Sequence, residues 1–323
     1  LKQYSFRDKA INGVLAHFKE FKSYCFLSAT PISNDLKPAI FNDIPEYIAN
    51  WNTTDEITVY PYHTNTPYMI AAKFIKTYQT KGSLNVNGIE SKEAYFFINS
   101  VTEIKAILKQ TQLTEDDYRI ICADNPKNRR TLEGYTISSS TDAPKKFNFI
   151  TSKSFEGVDF HSETGLCFVV SNVQNRHTLV SIDMDIPQIV GRIRTKSNPF
   201  RNKVVHIFNT KATDHYTTFE DMKLIVDEEV KAAQERADML NNTKLSETAV
   251  KQQVNEIKKV GVESYLSYQE NKFIVNDMVA KLQLYSYYIA TVVYQSDKSL
   301  RETYAQSGIV TTKGKWHIAP ELS

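Results

Sequence analysis

Between residues 69 and 208, short apolar runs alternate with stretches whose apolar residues recur every three or four positions. Met69 to Tyr78 has the helical period, Tyr95-Phe96-Phe97-Ile98 reads as a strand, and Val101 to Leu108 as a helix. Tyr118 to Ala123, Phe147-Asn148-Phe149-Ile150 and Leu166 to Val170 read as strands, Ile186 to Ile193 as a helix, and Val204 to Phe208 as a last strand. Strands that are apolar on both sides need cover on both faces, and the helices between them can supply it. The pattern therefore predicts βαβ units and a parallel sheet, the α/β class.

The flanks read differently. Arg7 to Phe21 carries Ala10, Val14, Leu15 and Phe18 at helical spacing, and Tyr24-Cys25-Phe26-Leu27 reads as a strand that ends in Ser28-Ala29-Thr30-Pro31. Residues 32–68 hold Pro38, Pro45, Pro61 and Pro67 and read as a connector, with one strand at Ile57 to Tyr60. Beyond Asp214 the strand signal stops. Thr217 and Glu220 fit a capping box, and Phe219, Met222, Val226, Val230, Ala233, Ala237 and Leu240 form one apolar stripe. Further helices are expected at Val250 to Val260 and Val275 to Tyr294, so the extension reads as all-helical. The expected domains are 1–44, 45–213 and 214–323, with no internal repeat.

Composition changes the picture little. The net charge is only +2, so no global basic field marks the chain for nucleic acid, and any such contact must be local. Cys25, Cys122 and Cys167 are odd in number, far apart and set in apolar runs. They read as buried thiols of a reducing compartment, the cytoplasm, and not as a disulfide framework or a zinc site. No apolar run approaches the ~20 residues of a membrane-crossing helix. The chain opens on Leu1-Lys2-Gln3-Tyr4, with no signal peptide and no Met, as a piece of a longer protein would.

Three segments carry chemistry: Ser28-Ala29-Thr30, the run Thr151-Ser152-Lys153-Ser154-Phe155-Glu156-Gly157-Val158-Asp159, and Gln188-Ile189-Val190-Gly191-Arg192-Ile193-Arg194. Each follows a strand or opens a helix, and open parallel sheets bind ligands at the carboxyl ends of their strands. Gly157 permits unusual backbone dihedrals. Asp159 offers a carboxylate to a sugar or an arginine, Gln188 can orient a water, and Arg192 and Arg194 can neutralise a phosphoryl group.

At these residues the chain resembles the superfamily-two helicases. Ser28-Ala29-Thr30 looks like their motif III and Phe96-Phe97-Ile98-Asn99-Ser100 like motif IV. Residues 151–159 look like motif V and 188–194 like motif VI. All four follow the family's order across residues 24–210. The resemblance implies a RecA-like (P-loop NTPase-like) sheet and ATP-driven work on nucleic acid, DNA rather than RNA. Arg192, Arg194 and Gln188 would then be catalytic, and Gly157, Asp159 and Gly191 would line the nucleotide. Ser28, Ala29, Thr30, Asn99, Ser100, Thr151, Ser152 and Lys153 would couple it to the nucleic acid. The family's second arginine falls on Thr195 here, flanked by Arg194 and Lys196. No Gly-x-x-x-x-Gly-Lys-Ser/Thr occurs, and no acidic Walker B box precedes residue 24. ATP and Mg2+ would accordingly be held by an upstream lobe of the same polypeptide, and this chain would not hydrolyse ATP by itself. Neither a metal site of the chain's own nor a membrane is implied.

Two rival readings share these motifs: a restriction or remodelling translocase that moves along duplex, and a motor-derived binding module without catalysis. Lys127, Arg129 and Arg130, with Lys145 and Lys146, read either as a phosphate-contacting cluster or as a solvated loop; so do Lys196, Arg201 and Lys203. Tyrosines 265, 268, 285, 287, 288, 294 and 304 suit helix packing better than base stacking. His206, inside an apolar strand, reads as structural.

Overall fold

A computed structural model describes residues 4–28, 37–49, 55–155, 157–211, 218–260 and 264–312. The chain divides into two compact units, residues 1–50 with 214–292 and residues 51–213 with 293–323. In chain order the elements are α1 (Tyr4–His17), β1 (Thr58–His63), α2 (Pro67–Lys81), β2 (Leu84–Val86), β3 (Ile89–Ser91), β4 (Glu93–Phe97), α3 (Val101–Thr111) and β5 (Tyr118–Ile121). They continue with α4 (Pro126–Thr131), β6 (Phe147–Ile150), β7 (Gly165–Ser171), α5 (Asp185–Val190), β8 (Lys203–Phe208), α6 (Phe219–Asn242) and α7 (Glu247–Val260). Last come β9 (Leu266–Gln269), β10 (Lys272–Val275), α8 (Asp277–Thr291), α9 (Asp297–Gln306) and β11 (Val310–Thr311).

The larger unit is an α/β domain around a seven-stranded sheet in the order β11-β1-β8-β7-β4-β6-β5. Every neighbouring pair is parallel, as the apolar runs predict. Side chains alternate across the pleat, so the sheet has two distinct faces. One is apolar: Ala94, Phe96, Phe147, Phe149, Phe168, Val205 and Ile207 pack under α2 and α3 through Phe74, Ile75, Tyr78, Ile104 and Leu108. Phe96 stacks on both Phe149 and Phe168, at 5.5 and 4.7 Å between centroids. The other face carries Tyr95, Arg119, Asn148, Ser171 and His206, all buried. Gly165 opens β7 against this face: a Cβ there would lie 2.6 Å from the Tyr95 ring and 2.8 Å from Ser162 Oγ, so only glycine fits.

In the smaller unit a capping box starts α6, on Thr218 and Asp221, one residue beyond the pair the sequence points to. Its stripe, Ala233, Ala237 and Leu240, packs on Leu266 and Phe273 of an antiparallel hairpin, β9–β10. The Asn241 amide donates to the Phe273 carbonyl and accepts from its N–H, occupying the edge of β10 as a partner strand would.

Several expectations need correction. Residues 214–323 are not all helix, since they contain this hairpin and β11, which adds to the edge of the main sheet beside β1. The compact units divide after residue 213, as expected there, but also after 50 and 292: the segment 293–323 groups with the sheet and 1–50 with 214–292. Tyr24 to Leu27 is no strand; Leu27 is 93% exposed, and Cys25 is an exposed thiol where a buried one is expected. Cys122 and Cys167 are buried. Among the described residues no helix is long and apolar enough to cross a membrane.

Candidate functional site

The sequence-predicted residues gather into two centres. The first lies at the carboxyl ends of β4, β6 and β7. Strand β4 leads away towards β5, while β7 leads the other way to β8, so the two adjacent strands flank a topological switch point. Asn99, just past β4, spans it: its Nδ2 donates to the His177 carbonyl beyond β7 at 2.7 Å, and its Oδ1 accepts from the Ser152 N–H beyond β6 at 3.2 Å. Ser100 caps α3 by accepting from the Glu103 N–H. Thr151 is buried and bonded through its N–H to the Ile121 carbonyl at the end of β5. Lys153 is exposed beside these loops, and its charge acts on Asp124 and Cys122. Burial pushes the Cys122 thiol up to about 11 in spite of that lysine.

The second centre is built by the rest of the motif V segment and by the arginines after α5. Gly157 has φ of +73°, a left-handed conformation that suits glycine, and it turns the chain so that Asp159 and Phe160 run back across the polar face of the sheet. Phe160 and Ile193 form a one-residue parallel bridge: the Phe160 N–H donates to the Arg192 carbonyl at 2.8 Å, and the Arg194 N–H to the Phe160 carbonyl at 2.9 Å. Asp159 is thereby set between the arginines. Its Oδ1 accepts from Arg194 Nε at 2.8 Å and lies 3.8 Å from Arg192 Nη1. Arg192 is buried, with Nε on the Gln188 carbonyl at 2.8 Å and Nη1 on the Val158 carbonyl at 3.2 Å. The Gln188 side chain accepts from Nη2 at 3.4 Å, so glutamine and arginine form one unit. Gly191 ends α5, where a Cβ would sit 3.3 Å from the Pro187 carbonyl. Arg194 stays about half exposed, at 47%.

All these residues are expected along one sheet edge, and the structure separates them. The Phe160 ring packs at a tilt against Tyr95, 5.0 Å between centroids, and Tyr95 lies four positions before Asn99. From Tyr95 to the end of β4 at Phe97 is about 7 Å at 3.3 Å per residue, and Asn99 lies two residues farther on. The motif V segment starts in the first centre and ends in the second. Ser28 is exposed and belongs to the other compact unit, while Ala29, Thr30 and Glu156 lie outside the described residues.

The basic cluster also splits. Lys127, Arg129 and Arg130 follow the carboxyl end of β5, whereas Lys145 and Lys146 precede β6, at the opposite edge of a parallel sheet. Lys145 and Lys146 are held by the Glu115 and Tyr78 carbonyls, and Arg129 by Asp124 at 2.5 Å. That hydrogen bond, more than the charge alone, holds the Asp124 carboxyl below its ordinary range. Arg201 pairs with Asp55 at 3.3 Å, and Lys203 opens β8.

Three contributors escape the sequence reading. The His177 carbonyl is a main-chain group with no side-chain signature. Phe160 looks like one more apolar residue. Arg119 is the third: it is buried on β5, with Nε on Asn148 Oδ1 at 3.0 Å, Nη1 on the Asp142 carbonyl, and its guanidinium 5.5 Å over the Phe160 ring. Among the described residues its Nη2 has no hydrogen-bond partner. Burial lowers its pKa from the ordinary value, while Tyr95, Asp142 and Glu93 act in the other direction. A charged residue within the apolar run Tyr118-Arg119-Ile120-Ile121 is the available signal.

Among the described residues no three His, Cys, Asp or Glu side chains come together to hold a metal ion. Comparison with protein-family models, with curated proteins and with solved structures gives no match, so the functional reading rests on residues and fold.

Proposed function

We propose that this chain is the C-terminal portion of an ATP-dependent nucleic-acid helicase or translocase, with the arginine cluster on the nucleotide side and the Asn99 centre on the nucleic-acid side. The observation that carries this reading is the pairwise meeting of motifs far apart in sequence. Asn99 of the motif IV-like turn bonds to Ser152 of the motif V-like loop, and Asp159 at the end of that loop bonds to Arg194 of the motif VI-like segment. One loop thus joins two centres, as coupling of hydrolysis to movement along a strand would require.

The residues present fit part of a nucleotide site. Arg192 and Arg194 both approach the Asp159 carboxylate, and guanidinium groups of this kind suit a phosphoryl oxygen. Arg192 is held by the Gln188 and Val158 carbonyls, so its position is preorganised. Arg194, half exposed, is able to exchange Asp159 for an anion of better geometry. Nothing in the chain matches the P-loop lysine or the magnesium carboxylate, which this reading assigns to an upstream lobe. ATP, when bound, supplies the transferable phosphoryl group. At the other centre the exposed Lys153 and the Ser152 and Ser100 hydroxyls suit a phosphodiester backbone, with DNA the favoured nucleic acid. A cytoplasmic setting belongs to the same proposal.

The test is nucleic-acid-stimulated ATPase activity of the longer polypeptide beside an Arg192→Ala variant. The expected result is hydrolysis by the parent and a loss of ~10²-fold or more in the variant, with nucleotide still bound. A parent inert with every DNA and RNA sequence offered would leave a binding module instead. Triplex displacement without strand displacement would mark a duplex translocase.

A further inference from the structure

The C-terminal segment that rejoins the sheet contains a buried polar cluster that none of the motifs includes. His206 on β8, Ser171 on β7, and Tyr294 and Tyr304 of the returning segment are all inaccessible to solvent. His206 Nε2 lies 3.1 Å from Ser171 Oγ and 3.2 Å from the Tyr294 hydroxyl, and Nδ1 meets the Tyr304 hydroxyl. The Tyr294 hydroxyl also reaches the Val180 carbonyl at 3.0 Å. A carbonyl can only accept, so in the contact with Val180 the Tyr294 O–H is the donor; the same hydroxyl lies 3.2 Å from Ser171 Oγ.

Val180 stands directly before the turn that starts α5. The Ser181 N–H donates to Asp185 Oδ2 at 2.7 Å, and the Asp185 N–H to Ser181 Oγ at 3.0 Å, a reciprocal pair that sets the first residue of the helix. Helix α5 is six residues long and carries Gln188, with Arg192 two residues past its end. So short a helix has little stability of its own and takes its placement from its attachments.

We propose that Tyr294 is a positioning residue for α5: through its hydrogen bond to Val180, the C-terminal segment 293–312 sets where Gln188 and Arg192 stand. The segment is itself anchored on the sheet, since the Val310 N–H donates to the Ile57 carbonyl at 3.0 Å and the Thr312 N–H to the Val59 carbonyl at 3.1 Å. Its relevance to catalysis rests on the proposed nucleotide-facing role of Arg192; the structural link itself does not.

The test uses this chain and needs no activity. Hydrogen–deuterium exchange and the Arg192 Nε–H resonance are measured in Tyr294→Phe, with Tyr304→Phe as the control that removes a hydroxyl from the same cluster without touching Val180. Tyr294→Phe should speed exchange across residues 181–190 by about tenfold and shift the Arg192 resonance, with β4 and β6 unchanged. Tyr304→Phe should leave both where they are. If Tyr294→Phe fails to fold, 3-fluorotyrosine at 294 keeps the hydroxyl, donates more strongly and should slow the same exchange. Unchanged exchange, or equal acceleration in both phenylalanine variants, overturns the proposal. Failure of the ATPase reading would leave these results untouched, so the two can fail separately.

Discussion

The two faces of the main sheet divide the work of the domain. Under α2 and α3 lie Phe96, Phe149 and Phe168 in a stack of rings, with no buried charge among the side chains of that cluster. On the other side, the strands of the same sheet hold Arg119, Asn148, Ser171 and His206, each buried and each hydrogen-bonded to a named partner. Apolar packing is non-directional and tolerant, so it stabilises without dictating where one particular atom sits. Buried polar groups are directional and costly when left unpaired, so they fix geometry. Both proposed roles of the sheet unit, the arginine cluster and its support from Tyr294, draw on the polar face.

If this contrast is right, the largest stability loss belongs to the apolar face. Phe168→Ala should destabilise by about 3–5 kcal/mol in urea titrations, as large cavities do. A loss under ~1 kcal/mol would mean that the ring stack is not the main core. Gly165→Ala comes next. The added methyl meets the Tyr95 ring and Ser162, and the overpacking should cost about 1–3 kcal/mol; an unchanged melting curve would show that β7 can shift to admit it.

His206 tests the polar face by pH. Burial pushes its pKa down to about 3 from the ordinary 6.5, so the folded chain binds fewer protons than the unfolded one between those values. The resulting stabilisation is complete above pH 6.5. It falls as the pH drops, by at most about 1.4 kcal/mol per pH unit, and levels off below about 3. His206→Gln should flatten that part of the profile; an identical slope in the variant would assign it to carboxylates elsewhere.

The smallest effect is expected at Arg119. Replacing this buried cation by Met removes a desolvated charge with one unbonded nitrogen, so stability should change by less than about 1 kcal/mol in either direction. The Phe160 ring should nonetheless loosen, which the Asp159–Arg194 contact would report in side-chain spectra. A loss comparable to that in Phe168→Ala would erase the distinction between the faces.

Much of the sheet is legible in the sequence because its strands are covered on both sides. The apolar run Phe147 to Ile150 has the limits of β6, the runs for β7 and β8 agree to within one residue at either end, and that for β4 to within two. The motif-bearing loops are legible as well, since Asn99, Ser152, Asp159 and Arg194 do meet in pairs. What the pattern does not convey is how far apart the pairs lie, because Gly157 turns the motif V segment back over the sheet. The Tyr24 to Leu27 run misleads: an apolar string predicts a strand only where something pairs with it, and here the residues are exposed. Two hairpins escape although their turns are in view. Asn87-Gly88 and Glu270-Asn271 both have positive φ at the two central positions, and Asn-Gly is a strong hairpin signal that an apolar-period reading passes over. Tyr294 falls at the end of the expected third helix, and nothing in helical spacing separates a packing tyrosine from one whose hydroxyl anchors a loop.

The last strand has a consequence for how the protein is made. Val310 pairs with Thr58, so the edge beside β1 cannot be closed until residue 310 has left the ribosome. Until then β1 presents unpaired amides and carbonyls while the helical unit, encoded between β8 and α9, is already emerging. Closure of so long a loop is slow, and the interval is when strand-to-strand aggregation competes. Truncations before residue 310 should therefore lower soluble yield more than they lower the stability of whatever does fold.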